Sequence, residues 1–572
     1  MNQNALGLRL IGTRGAAILL LLVGAAVPSK AGQLSPDLQE KIRANPKSAV
    51  RTRVIVRFSQ RGVNGAGLAK SYKGSQVRAH SLLGAATLTV PQNQLNGLSG
   101  NPRVSTVSLD RPVGALWDYD TEAAGAREVW ATTPFRGSSI RVAVLDTGVA
   151  PASRDWYRAG INSGANRVVG WKDIVGNRAT PYDDNGHGTH VAGIVMGSGN
   201  SSDGNVAGTA PDADLVAVKV LDRNGAGTAS AVIAGLDWCV QNRTALNIRV
   251  INLSLGCRPS ESYTTDPLCA AVRQAVQAGI VVVAAAGNDG RDSAGNLAYG
   301  GIHCPGNEPS AITVGALNTS ETVSRADDQV CGYSSRGPTF IDNAAKPDLL
   351  APGNKIVSVR APGSALDVAI PQNRVSYNGG AAGTGEYFQL SGTSMAAPQV
   401  AGVVALMLQA NASLAPNTVK GILMFTTEKL LLQDASGAPL TEGVSVLTQG
   451  TGSLNAAGAV DVASKIDVSR PVGGAWLRAV LPGYSTIAER TFPWARRVLY
   501  GNRLAAGDAV FKLRQKLWSD QVVWSDQVIW SDQVIWSDQV VWSDQVIWSD
   551  QVIWSDQVIW SDAAERVVYQ GE

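Results

Sequence analysis

Between residues 140 and 463, short apolar runs alternate with longer stretches of helical period. This alternation restricts what the chain can fold into more than any other feature. The runs 141–145, 215–220, 249–253, 280–285 and 312–314 read as strands, and 229–240, 270–278 and 395–409 read as helices. A strand that is apolar at nearly every position must be covered on both sides, whereas a strand with one wet face alternates. Strands and helices repeating in this order predict an α/β fold, a mostly parallel sheet with helices on both faces. At 572 residues the chain is too long for that sheet to be its only unit.

The flanks differ in character. Arg9 and Arg14 precede an apolar run from Ala16 to Val27, followed by Ser29-Lys30-Ala31. A basic start, a short apolar core and a small-x-small site read as a secretory signal peptide over 1–31, so the mature protein is expected to be secreted. An uncleaved anchor is the competing reading, but the run is shorter than the ~20 residues a membrane span needs. Residues 51–111 form a separate small α+β unit, with strands at 54–56, 86–90 and 104–109 and a short helix at 92–98. Residues 466–517 are a mixed linker or accessory segment. From Trp518 to Asp562 the hexad Trp-Ser-Asp-Gln-Val-Ile/Val recurs. A period of six keeps Trp on one face of a strand but scatters it around a helix, so the hexads read as a β-rich extension. Self-association, ligand binding and a disordered tail remain alternatives for their role.

Charge excludes one class of partner. With 49 basic and 46 acidic residues the net charge is +3, which is no footprint for nucleic acid. The five cysteines, Cys239, Cys257, Cys269, Cys304 and Cys331, fall in what the leader makes an oxidising setting. Cys257 and Cys269 bracket a Pro/Ser/Thr-rich loop, and closing it would contribute about 3 kcal/mol. Cys304 with Cys331 is the next expected pair. Cys239 shares a helical face with Val232, Leu236 and Val240 and reads as a buried, inert thiol.

Three segments carry chemistry. Val142 to Gly148 is a buried strand ending in Asp146 and a Gly turn. Asn185-Gly186-His187-Gly188-Thr189-His190 sets an imidazole between glycines at a helix start. Ser391-Gly392-Thr393-Ser394-Met395 puts a serine at the N-terminus of an apolar helix. A serine hydroxyl is a weak nucleophile until a neutral imidazole takes its proton, and that imidazole needs a carboxylate on its other nitrogen. Asp146, His187 and Ser394 are therefore the candidate catalytic residues. The helix start at Ser394 adds positive potential for an oxyanion, and Asn288, following the strand at 280–285, offers a further donor. His187 and His190 lack the Glu of a His-Glu-x-x-His zinc site, and no histidine follows Ser394 as an α/β-hydrolase would require. His190 reads as structural.

These segments, in the order Asp146, His187, Asn288, Ser394, resemble the subtilisin-like serine peptidases, the subtilases, with further matches at Ser334 to Pro338 and at Lys346-Pro347-Asp348. The resemblance implies a subtilisin-like catalytic domain over 116–465 that hydrolyses protein or peptide substrates through an acyl-enzyme, with no cofactor for the chemistry. It implies that 51–111 is an inhibitory propeptide, and that Ser254, Leu255 and Gly256 pair with bound peptide. It also matches Asp155 to a ligand of structural calcium. A solvated surface carboxylate is the alternative for Asp155, because the loop 199–206 departs from the family pattern. The rival reading from another class is an adhesive surface protein with a vestigial peptidase domain.

Overall fold

The computed structural model describes residues 32–515 apart from 61, 81–83, 110–118, 159–165, 378–384, 435, 489 and 501–502. The expected signal peptide and the hexads lie outside the described residues. The chain divides into two units, Met1–Leu116 and Trp117–Glu572.

In the first unit a sheet of five strands runs in the order Gln33–Leu34, Val104–Leu109, Arg51–Phe58, Ala85–Pro91, Ser75–His80. Arg51–Phe58 alternates buried and exposed residues, so Val54 and Val56 pack inward. They meet Leu38 and Ile42 of the helix Pro36–Ala44 and Leu95 and Leu98 of the short helix Leu95–Ser99, which falls where a helix was expected. The strands expected at 54–56, 86–90 and 104–109 are present. Helix Gly65–Ser71 and strand Ser75–His80 escaped the sequence reading, because the helix carries two glycines, poor helix formers, and the strand is short with only Val77 as a large apolar residue.

The second unit holds the parallel sheet. Its order is Ile312–Asn318, Val281–Ala285, Ile248–Leu253, Arg141–Asp146, Asp214–Lys219, Val168–Asp173. Leu349–Pro352 is parallel and Gln329–Val330 antiparallel against Ile312–Asn318. The expected α/β architecture holds, and burial shows why the strands are apolar throughout. Val142 and Val144 face one core while Ala143 and Leu145 face the other; Val281 and Val283 likewise oppose Val282 and Ala284. Helices His187–Met196 and Thr393–Ala410 cover the first face, and Ala229–Asn242 and Pro267–Gln277 the second. Thr393–Ala410 is the one helix among the described residues long and apolar enough to cross a membrane, and it is packed inside the protein.

The structure contains neither of the expected disulfides: all five cysteines are free thiols. Cys331 lies in the core on one face of the sheet and Cys304 in the core on the other, so they cannot meet. Cys269 turns inward, its Sγ 3.7 Å from that of Cys304, instead of closing the loop to exposed Cys257. Cys239 is buried as expected, and burial pushes its thiol pKa up.

Residues between 466 and 515 also join the main core. Trp476 is buried, stacks on Phe511 and donates its indole N–H to the Phe511 carbonyl at 2.8 Å. Phe511 in turn meets Phe425 of helix Pro416–Thr426 edge-on. Trp476→Ala is expected to destabilise this unit by about 3–5 kcal/mol, read from denaturant unfolding. A loss below about 1 kcal/mol, ordinary for a surface site, would show that 466–515 is an appendage and not part of the core.

Candidate active site

Strand Arg141–Asp146 is central, and the chain leaves it for strands on one side before crossing to the other. Such a reversal opens a crevice at the carboxyl ends of the strands. Asp146 ends its strand fully buried. Its Oδ1 accepts from the Thr147 N–H at 2.7 Å and sits 2.8 Å from His187 Nδ1. Helix His187–Met196 can start this close to the strand end for two reasons. Gly186 takes a left-handed φ of 105° at the cap, and a Cβ on Gly188 would lie 2.4 Å from the Gly148 carbonyl oxygen.

Asp183 secures that helix start and was missed in the sequence. Its carboxylate accepts from the N–H groups of Gly186 and Thr189 and from the hydroxyls of Thr147 and Thr189. The signal was present, since an acidic residue just before a helix satisfies its first amides. Buried Lys219 donates to the Thr147 carbonyl and pairs with Asp184, holding the same turn from the adjacent strand.

Ser394 stands in the first turn of Thr393–Ala410, where backbone N–H groups have no helical acceptor. Pro398, four residues on, has no N–H to give the Ser394 carbonyl. That carbonyl accepts instead from the Ser254 hydroxyl at 2.7 Å, while the Ser394 hydroxyl donates to the Ser254 carbonyl at 3.0 Å. Asn288 Oδ1 accepts from the N–H and hydroxyl of Thr393, at 3.0 and 3.1 Å, which fixes its amide and turns Nδ2 to the donor side. One cleft of about 590 Å³ is lined by His187, Ser394, Asn288, Ser254, Leu255 and Gly256, with Asp146 beneath His187. The structure thus brings all the sequence-nominated residues except Asp155 to one place. Leu221, Thr228, Val232, Leu268 and His303 also line the cleft.

Burial alone would lower the His187 pKa. The charge and hydrogen bond of Asp146, with Asp183 nearby, outweigh burial and hold it above the ordinary value of 6.5. His190 goes the other way: it is fully buried, and burial, with His187 adding to it, lowers its pKa to about 3. Its Nε2 lies 2.9 Å from the Phe388 carbonyl and 3.2 Å from that of Ile356, a structural role as expected.

Asp155 lies away from the cleft, and its surroundings do not fit a calcium ion. It is fully buried, not a solvated carboxylate, and burial raises its pKa. Its oxygens accept from the Ser201 N–H at 2.8 Å and the Tyr387 hydroxyl at 2.7 Å. The nearby carbonyls of Asp155, Met196 and Ala213 accept from the buried Arg167 guanidinium. Calcium takes six to eight oxygens, and here a fixed side-chain cation and protein donors hold the oxygens on hand.

Residues 137–457 match the family described as the subtilase family. The chain is 42% identical over 338 residues to "Serine protease AprX" of Bacillus subtilis (strain 168), covering 58% of this chain and 71% of that protein. It is 35% identical to "Subtilisin DY" of Bacillus licheniformis, covering 52% of this chain and 86% of that one. A solved structure titled "Crystal structure of a cold adapted subtilisin-like serine proteinase" aligns at 32% identity and TM-score 0.39, covering 56% of this chain and 90% of that chain. The chain belongs to the subtilase family. It is a subtilisin-like serine peptidase, a hydrolase.

Because base catalysis requires neutral imidazole, kcat/KM is expected to rise with pH through a midpoint above about 6.5, the ordinary imidazole value. Asp146→Asn removes the charge that raises this pKa, so the midpoint should move down. The same change can stabilise the wrong tautomer of the imidazole, and the plateau rate should fall about 10⁴-fold. A pH–rate profile of both forms checks this, and an unmoved midpoint would separate Asp146 from the titration of His187.

Proposed function

We propose that this protein is an exported endopeptidase, made as a self-processing precursor, that cleaves internal peptide bonds with Ser394 as nucleophile. The observation that carries the reading is the 2.8 Å contact between Asp146 and His187 beneath a cleft that Ser394 and Asn288 also line.

A substrate strand laid along Ser254, Leu255 and Gly256 brings its scissile carbonyl to Ser394. The Ser394 hydroxyl leaves the Ser254 carbonyl, gives its proton to His187 and attacks carbon. The buried Asp146 carboxylate holds the imidazole tautomer and stabilises the imidazolium. The carbonyl oxygen becomes an oxyanion, stabilised by the Asn288 amide and the Ser394 N–H. His187 then hands its proton to the leaving amine, which departs and leaves an ester on Ser394. A water that gives its proton to His187 breaks that ester, releasing the acid and restoring the serine.

Export is supported by the basic and apolar leader at 1–31. The precursor reading is supported by the separately packed first unit, whose segment 51–111 resembles a subtilase propeptide. On this reading the catalytic domain is 116–465, with 466–517, expected as a linker or accessory segment, packed onto its core through 515, and the hexads 518–562 following.

Ser394→Ala is expected to lower casein hydrolysis by about 10⁶-fold in kcat, a loss measured on subtilisin itself and borrowed from it. The exported variant should retain 51–111 while the wild type sheds it, as intact-mass spectrometry will show. Undiminished hydrolysis would remove Ser394 from the chemistry, and identical N-termini would assign processing to another protease.

A further inference from the structure

Three ligand-type side chains meet behind the cleft wall, outside the machinery just described. Asp266 caps helix Pro267–Gln277: its Oδ1 accepts from the N–H groups of Leu268 and Cys269, at 2.8 and 3.0 Å. This leaves Oδ2, which lies 3.5 Å from Cys304 Sγ. Cys304 Sγ is 3.7 Å from Cys269 Sγ, and both cysteines are buried free thiols. One ligand atom from each of Asp266, Cys269 and Cys304 lies within 4.8 Å of the other two.

The 3.7 Å sulfur–sulfur and 3.5 Å sulfur–oxygen separations are those of two edges of a tetrahedron around zinc. With Zn–S near 2.3 Å and Zn–O near 2.0 Å, tetrahedral angles put two sulfurs about 3.8 Å apart and a sulfur and an oxygen about 3.5 Å apart. A second observation points the same way. Asn307 is buried with Oδ1 3.2 Å from Cys269 Sγ, and its Nδ2 has no hydrogen-bond partner among the described residues. Against a thiol, Asn307 accepts the S–H and strands its amide donor. Against a metal-bound thiolate, the same amide turned over donates N–H to sulfur, as the outer partners of metal ligands do.

We propose that Asp266, Cys269 and Cys304 form a binding site for one borderline-soft divalent cation of the zinc class. Two thiolates and one carboxylate oxygen supply three ligands, and binding releases the two thiol protons. Thiolate sulfur selects this class over calcium or magnesium, which take oxygen. Water fills the fourth position, or exposed Cys257, whose backbone pairs with that of Cys304 at 2.8 and 3.0 Å. The ion ties together the segments that carry Cys257, Leu268 and His303, three residues lining the cleft. It supports that wall and takes no part in the peptidase chemistry.

The test uses the full chain carrying Ser394→Ala, so that self-digestion does not intrude. The chain is reduced, stripped with a chelator, freed of both reagents under anaerobic conditions and titrated with Zn²⁺ or with Co²⁺. The expected result is one equivalent bound, a thiolate-to-cobalt charge-transfer band in the near ultraviolet, and a higher thermal midpoint with Zn²⁺. Cys304→Ser and Cys269→Ser should abolish the band, and Cys331→Ser should keep it. Asp266→Asn keeps a capping oxygen and serves if a cysteine variant fails to fold; it should weaken Zn²⁺ at least about tenfold. Absence of the band, or a band that survives both Cys304→Ser and Asp266→Asn, overturns the proposal. So does a count, in the chain isolated without reductant and unfolded, of two thiols fewer than the five in the sequence, lost in Cys304→Ser, because that marks a disulfide.

Discussion

The site depends on one close approach, the first turn of the helix beginning at His187 laid over the end of the strand that closes with Asp146. A carboxylate removed from water is costly unless its charge is matched by donors. Asp146 finds two on one oxygen, the Thr147 amide and the His187 ring. The ring can be there only because Gly188 lets the helix backbone pass against Gly148, and because Asp183 takes up the amides the helix start leaves open. Lys219, paired in register with Asp146 from the next strand, holds the same turn through the Thr147 carbonyl. Displacing the helix start would cost the Asp146–His187 hydrogen bond and, with it, the charge that holds the imidazole pKa above its ordinary value.

The opposite wall is built on a missing donor. Pro398 leaves the Ser394 carbonyl without its helical partner, and Ser254 supplies one. Ser394, the strand end at Ser254 and the helix start are thereby locked into one piece, with Thr393 locking Asn288 to the same turn. A site positioned by strand ends and a buried helix is more rigid than one carried on loops. Aromatic side chains from residues after 465 pack on the helix Pro416–Thr426, and the buried Arg167 guanidinium stitches the carbonyls around Asp155 with a charge that cannot leave.

Much of this was legible in the sequence for a physical reason. Strands buried on both faces are apolar at almost every position, so the central strands declared themselves. The segments around Asp146, His187 and Ser394 combine residue types that are informative only together. What stayed hidden was whatever depends on which face a residue occupies or on partners distant in sequence. Val168–Asp173 is an edge strand, only partly buried, and its mixed composition conceals it. Cys304 and Cys331 look pairable by spacing, yet the sheet lies between them. Trp476 and Phe511 gain meaning only where they stack. Asp155 gave no hint of its burial, because Tyr387 reaches it from 232 positions away.

The central claim is that Ser394 is made nucleophilic by the Asp146–His187 pair. It is tested most directly by reaction with a fluorophosphonate reagent and location of the adduct by peptide mass spectrometry. The account predicts one phosphonyl group, on Ser394, in the native chain and almost none in His187→Ala under the same exposure. An adduct on another serine, or equal labelling of Ser394 without His187, would contradict it.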